Sequence, residues 1–298
     1  MIIAMSGATG LIGHTLKEFL LKKGHQVNEI SNRHKWFNNS LQIFWDLKKN
    51  YVDAEALEGH DAIIHLAGAN ISARSWSASY KKEILDSRVK STTLLVKAIQ
   101  KMNRRPKIFF SASAVGYYGS HDSNDFVNER SPAGQGFLAD VCHQWEDITT
   151  DLVLSGVRPV NMRFGVVLSK KGGALAKMLP PFYFCLGGKL GSGRQKMSWI
   201  ALDEIPRIVD YIITHDDISG PVNFVSPNPV TNWEFTKTLG AVIHRPTIFP
   251  VPGFMIKLMF GEMGKTLLLE GAHVIPDVLL AQGYRYTYPD LAEALKAA

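Results

Sequence analysis

Three glycines near the amino end carry the first recognisable chemistry. Gly7, Gly10 and Gly13 are spaced G-x-x-G-x-x-G directly after the apolar run Ile2-Ile3-Ala4-Met5. Each position has a task that a Cβ would obstruct: Gly7 turns the chain tightly off a strand, Gly10 admits a pyrophosphate, and Gly13 lets the next helix pack close to the sheet. The free N–H groups and partial positive charge at that helix start then meet the phosphates. A second chemical group is Arg33, in Ser31-Asn32-Arg33-His34-Lys35, where a fold that binds an unphosphorylated ribose carries a carboxylate. No carboxylate stands there. A guanidinium fork matches a 2′-phosphate, so NADP(H) is expected in preference to NAD(H). Ser113, and Ser111 as second choice, end an apolar run. A hydroxyl at the carboxyl end of a buried strand faces the crevice, where it can hydrogen-bond a carbonyl or alcohol under reduction or oxidation.

These groups must be held by alternating strands and helices. Apolar runs predict strands ending at Met5, over 26–31, 41–45 and 61–66, then 107–113, 157–168 and 221–225. Helical spacing places Leu16, Phe19 and Leu20 on one face of the first helix. It also predicts helices over 80–101, 137–154, 205–214, with Asp203 as N-cap, and 231–243, capped by Thr231 or Asn232. The small-residue turn Ala67-Gly68-Ala69-Asn70 ends the fourth strand and leaves room for a ligand. His65, inside that strand, reads as core. Pro180-Pro181 is expected to break the apolar stretch 175–186, and Gly187–Arg194 reads as a mobile lid or turn over a ligand. The tail from Pro246 holds two short helices, over 254–260 and 265–269.

The 298 residues can bury a sizeable core, and 46% hydrophobic with 20% charged residues is the composition of a soluble globular chain. The net charge of +6 is spread over scattered pairs such as Lys22-Lys23 and Arg104-Arg105, which reads as solvated surface and argues against a nucleic-acid footprint. Cys142 and Cys185 form no C-x-x-C, so neither a disulfide framework nor a metal site is expected. No apolar run spans a bilayer and no secretory leader precedes the first strand; a cytoplasmic protein with no membrane partner is expected.

Together the segments SGATGLIG, HLAGANI, DSRVKSTTLLVKAI, SASAVGYYG, VCHQWE, MRFGVVLS-x-x-GGAL and GYRYTYPDLAEALKA resemble the extended short-chain dehydrogenase/reductase superfamily. Within it they resemble the atypical epimerase-family proteins of the YfcH-like and family 39U type, which carry a C-terminal DUF1731-like segment. The resemblance implies an α/β fold: a Rossmann-like doubly wound parallel sheet of about seven strands with a smaller C-terminal substrate-side domain. The boundaries it suggests are 1–168 for the cofactor-binding core, with 195–225 returning to it, and 169–194 plus 226–298 for the smaller domain. It further implies NADP(H) held by Thr9, Gly10, Leu11, Ile12, Asn32, Arg33, Leu66, Ala67, Glu83 and Arg88, with Arg163, Gly165 and Val166 on the nicotinamide side.

One departure matters. The superfamily's acid/base tyrosine and its lysine, Tyr-x-x-x-Lys, fall on Leu138 and Cys142 when Glu146 is matched to the family's later glutamate. Three substitutes stand open: a phenol from Tyr117 or Tyr118 beside Ser113, the Cys142 thiol if its pKa is lowered, or a proton from water or the substrate itself. Two functions follow. The first is an NADP(H)-dependent oxidoreductase or epimerase acting on a small carbonyl, alcohol or nucleotide-sugar-like compound. The second is a non-catalytic NADP(H)-binding sensor or scaffold. Monomer and homodimer both remain open.

Overall fold

A computed structural model describes residues 1–32, 42–121 and 125–298. In chain order, β1 (Ile2–Ser6), α1 (Leu11–Lys22), β2 (Gln26–Ser31), β3 (Gln42–Asp46), β4 (Tyr51–Val52), α2 (Ala54–Leu57) and β5 (Ala62–His65) form the first half of a sheet with its covering helices. The second half is α3 (Ala78–Lys101), β6 (Ile108–Ala114), β7 (Phe126–Val127), α4 (Phe137–Thr150), β8 (Arg158–Phe164) and β9 (Val166–Leu168). There follow α5 (Gly173–Tyr183), β10 (Lys196–Met197), β11 (Trp199–Ala201), α6 (Glu204–Thr214), β12 (Gly220–Phe224), β13 (Val230–Thr231) and α7 (Asn232–Val242). The tail holds α8 (Gly253–Gly264), a π-helical turn at Lys265–Leu269, β14 (His273–Val274), α9 (Asp277–Ala281) and α10 (Leu291–Ala297).

Eight strands join in the order β12-β8-β6-β5-β1-β2-β3-β4, parallel except at the antiparallel β4 edge. This is the Rossmann-like doubly wound sheet. Its strands are continuous apolar runs because both faces are covered. Along β1, Ile3 and Met5 join Leu16 and Leu20 of α1 and Ile205, Ile208 and Ile212 of α6 on one face. Ala4 joins Leu94, Leu95 and Ile99 of α3 on the other. Each such leucine or isoleucine contributes about 1.5–3 kcal/mol through its burial. The order reverses between β1 and β5, which opens a crevice at their carboxyl ends. A third apolar cluster gathers Leu175, Leu179, Trp199, Phe235, Leu239 and Leu295.

Several local expectations change. The predicted strand 157–168 is split at Gly165, where a Cβ would lie 2.5 Å from the Ser198 carbonyl oxygen; β9 leaves the sheet there and pairs with β11. Pro180 and Pro181 do not break α5, which runs through both and ends at Tyr183, so the prolines remove two hydrogen bonds only in its last turn. Asp203 stands at the N-cap of α6 but makes no side-chain capping bond. Thr231 does cap α7, in a reciprocal box with Glu234. The segment Gly187–Arg194 is no free lid. A Cβ at Gly188 would collide with the Phe249 carbonyl, 1.8 Å away, and the Gly191 N–H donates to Val251 at 2.8 Å. The glycines are there because backbone meets backbone.

The tail is fastened to the sheet by buried polar contacts. Glu204 at the start of α6 accepts from the Tyr284 hydroxyl at 2.6 Å and from the backbone N–H of Thr287 and Tyr288. Ser198 bridges Ala272 and Val274.

Candidate functional site

The turn after β1 has the geometry a phosphate cradle needs. Gly7 adopts φ +71°, and a Cβ there would lie 2.8 Å from the Leu66 carbonyl carbon, so only glycine lets β1 turn beside the end of β5. A Cβ on Gly13 would sit 2.2 Å from the Gly7 carbonyl oxygen, whereas one on Gly10 meets that oxygen at only 3.3 Å. Gly13 therefore serves the approach of helix to turn, and Gly10 keeps an outer face open. Thr9 and Gly10 are exposed; Leu11 and Ile12 are half-buried and packed against the core. No side chain caps α1 and no acidic residue lies in its first turn, so its positive end is uncompensated by the protein.

Around the cradle, Leu66 and Ala67 are half-buried, and Gly68 and Asn32 are exposed at the ends of β5 and β2. Arg88 of α3 lies beneath the Gly68 turn. It donates to Ala69 and Ile84 carbonyls at 3.1 and 3.0 Å, and its guanidinium stacks on Trp145. Glu83, one turn earlier, is exposed and pairs with Arg74 at 3.6 Å. Arg33 lies outside the described residues. His65 is fully buried. Ser91 already donates to the Ser87 and Arg88 carbonyls, so it accepts from His65 Nε2–H at 2.9 Å, leaving Nδ1 to accept from Ser6 at 2.6 Å. Burial lowers its pKa to about 3, and the imidazole stays neutral.

The carboxyl end of β6 carries a connected polar group. The Ser113 hydroxyl donates to Glu146 Oε1 at 2.5 Å, and Glu146 takes a two-point ion pair from Arg163, Nε at 2.9 Å and Nη2 at 2.7 Å. Arg163 Nη1 donates to the Tyr118 hydroxyl at 2.8 Å, which donates onward to Asn223 Oδ1 at 2.7 Å. Asn223 donates to the Ile275 carbonyl and, through its N–H, to Glu129, so the chain of bonds runs from Ser113 to the tail. Ser111 is turned onto the Ala112 carbonyl instead.

These contacts show how the fold already engages four of the residues singled out in the sequence. Arg163 is 2% exposed, gives three of its N–H donors to Glu146 and Tyr118, and is covered by Tyr117 at 3.5 Å from its guanidinium. Its carboxylate partner holds its pKa above the ordinary guanidinium value. Gly165 packs on Ser198 and Val225, so its missing Cβ admits protein rather than ligand, while Val166 is half-buried beside it. The Tyr118 phenol is committed to Arg163 and Asn223 and pushed up to about 12 by burial. The Cys142 thiol lies against Ser113 and the Ala114 backbone, and burial pushes it up to about 11, opposite to what a thiolate needs. Tyr117 is half-buried, stacked between Arg163 and His143. Leu138 packs on Gly116.

Sequence reasoning missed Glu146 as the partner of Ser113. A signal existed: Leu138, Cys142 and Glu146 recur at four-residue spacing on one face of α4, and a carboxylate on that buried face requires a partner.

The sheet order and glycine turn define a Rossmann-like α/β protein of the extended short-chain dehydrogenase/reductase type. The chain belongs to the NAD dependent epimerase/dehydratase family, whose pattern matches residues 3–224, and residues 251–298 match the DUF1731 domain of unknown function. Epimerase family protein ML0860 of Mycobacterium leprae is 37% identical over 297 residues, covering 100% of this chain and 95% of the relative. The crystal structure of human epimerase family protein SDR39U1 with NADPH superposes with a TM-score of 0.88 at 34% identity, covering 100% of this chain and 98% of that one. A nucleoside-diphosphate sugar epimerase from Corynebacterium glutamicum superposes with a TM-score of 0.81 at 31% identity, covering 99% of this chain and 57% of that one.

Proposed function

We propose that the chain is an NADP(H)-dependent oxidoreductase or epimerase that acts on a small alcohol, carbonyl or nucleotide-sugar-like compound. The observation that carries this reading is the Ser113–Glu146 bond at the carboxyl end of β6. It lies two strand spacings, about 10 Å, from the glycine turn of β1, a span within reach of a dinucleotide. The residues present fit the cofactor: an open Gly10 face, an uncapped α1 and the small turn Leu66, Ala67 and Gly68. Thr9, Gly10, Leu11 and Ile12 would hold the pyrophosphate, and Asn32 with Arg33 the adenosine ribose and its 2′-phosphate. The missing carboxylate after β2 and the NADPH in the human SDR39U1 structure support the phosphorylated form. When bound, the nicotinamide supplies hydride exchange.

The protein's own part is proton handling. Because Ser113 donates to Glu146, its oxygen offers lone pairs to the crevice and accepts the proton of a substrate hydroxyl. As that proton arrives, the Ser113 proton passes to Glu146. In the reverse direction the same two groups return it to the oxygen of a carbonyl. Arg163, through its two-point pair, holds the Glu146 carboxylate toward Ser113. In this reading 1–168 with 195–225 bind cofactor, and 169–194 with 226–298 form the substrate side.

The second reading, a non-catalytic NADP(H) sensor or scaffold, is favoured by Leu138 and the neutral Cys142 thiol at the positions of the usual tyrosine and lysine. Titration calorimetry with NADPH tests the cradle, and nicotinamide absorbance across a panel of sugars, nucleotide sugars, aldehydes and ketones tests the reaction. Binding with turnover supports the enzyme; binding with none across a broad panel leaves the sensor; no binding removes both.

A further inference from the structure

Two stretches of this chain, 169–198 and 235–261, contain no aspartate or glutamate, yet carry six and three Lys or Arg respectively. The fold stitches them together. The Val251 N–H donates to Lys189 at 2.9 Å, the Gly191 N–H to Val251 at 2.8 Å, and Arg245 Nε to the Tyr183 carbonyl at 3.3 Å. Both stretches carry exposed apolar side chains: Phe184 is 77% exposed, Ile248 67%, Phe254 70% and Leu258 84%. In α8 only Ile256 and Gly264 are buried. On the same two stretches Arg245 and Lys257 are exposed and Lys189 is half-buried, and among the described residues none of the three is in an ion pair.

Exposed large apolar side chains concentrated on two joined stretches mark a docking site. Its charge selects the occupant. A second copy meeting it across a two-fold axis would set these cations against a face whose two stretches offer no carboxylate to pair them. Phe254 and Leu258 project from the surface, a shape suited to a deformable layer rather than to a rigid groove. Among the described residues no helix is long and apolar enough to cross a membrane, so contact would be with its surface. We propose that this face docks on an anionic lipid bilayer. Phe254 and Leu258 enter the boundary between headgroups and acyl chains, while Lys189, Arg245 and Lys257 meet lipid phosphates.

The test sediments the full chain with vesicles of phosphatidylcholine alone and of phosphatidylcholine mixed with phosphatidylglycerol. Binding to the mixed vesicles, weakened by salt and much lower on the neutral ones, is expected. The pairs Phe254→Ser with Leu258→Ser, and Arg245→Glu with Lys257→Glu, should each lower partitioning by about tenfold or more, with cooperative thermal unfolding retained and NADPH affinity at the parent value. If the serine pair fails to fold, the charge-reversal pair carries the test. No sedimentation with anionic vesicles, or sedimentation of both variants equal to that of the parent, overturns the proposal. So does self-association in light scattering that the serine pair abolishes, which assigns the face to a second copy. Retention on an immobilised acidic peptide without vesicle binding assigns it to a protein and overturns it equally.

Discussion

Ser113 Oγ and Glu146 Oε1 lie 2.5 Å apart, 33 residues apart in sequence, with the serine proton directed at the carboxylate. In the proposed reaction that direction leaves the serine oxygen to accept a substrate proton. Ser113→Ala should therefore lower turnover of any panel substrate about 100-fold or more while NADPH affinity holds and the protein stays folded. Unchanged turnover in this variant would remove Ser113 from the reaction.

Glu146 has a second duty, because it neutralises Arg163 where neither side chain meets water. Glu146→Gln leaves a buried guanidinium without its counter-charge and should cost about 3–5 kcal/mol in urea unfolding. Replacing both partners with leucine should recover much of that loss. A single-variant cost under about 1 kcal/mol would mean that the pair is hydrated in solution.

The two later glycines of the turn should separate fold from binding. A Cβ on Gly13 meets the Gly7 carbonyl at 2.2 Å, so Gly13→Ala forces α1 away from the turn and should destabilise by about 1–3 kcal/mol. A Cβ on Gly10 meets the same oxygen at 3.3 Å, so Gly10→Ala should leave the melting temperature almost unchanged and lower NADPH affinity about tenfold or more. Calorimetry and thermal melts on both variants decide, and a reversed pattern would contradict the assignment.

Cofactor choice rests on Arg33. Arg33→Asp should weaken NADPH much more than NADH, since it removes a phosphate partner and adds a like charge. Equal changes in the two affinities would leave no basis for the 2′-phosphate preference.

The buried His65 makes stability depend on pH. Its folded pKa of about 3 lies below the unfolded value of 6.5, so between these the unfolded chain binds the extra proton. Its contribution is complete above about pH 6.5 and is lost as pH falls, at up to about 1.4 kcal/mol per pH unit. His60 shifts in the same direction, and Glu129, raised by burial, in the opposite one. Urea midpoints at several pH values between about 7.5 and 5 should fall more steeply for the parent than for His65→Gln. Parallel curves would clear His65 as the source.

Much of the fold was legible in the chain because it is local. The run Ile2–Met5 is apolar at every position, which suits a strand buried on both faces, and the strand–turn–helix that follows needs only neighbours in sequence. Thr231 and Glu234 announce a helix start three residues apart, and the structure forms both halves of that box. The Gly187–Arg194 segment misled for the same local reason. Its glycines look free until the Phe249 backbone, some 60 residues on, is found against them.

By itself the sequence determined the glycine cradle, the succession of strands and helices, and the family to which the chain belongs, since each depends on residue types at short, regular spacing. Only the tertiary structure decided that Ser113 points at Glu146, that Arg163 is spent on that carboxylate, and that Cys142 is a neutral buried thiol. Those facts depend on parallel strands meeting in the order β5, β6, β8 under one face of α4. Hydrogen-bond direction and desolvation are properties of that meeting, and no short window of residues contains them.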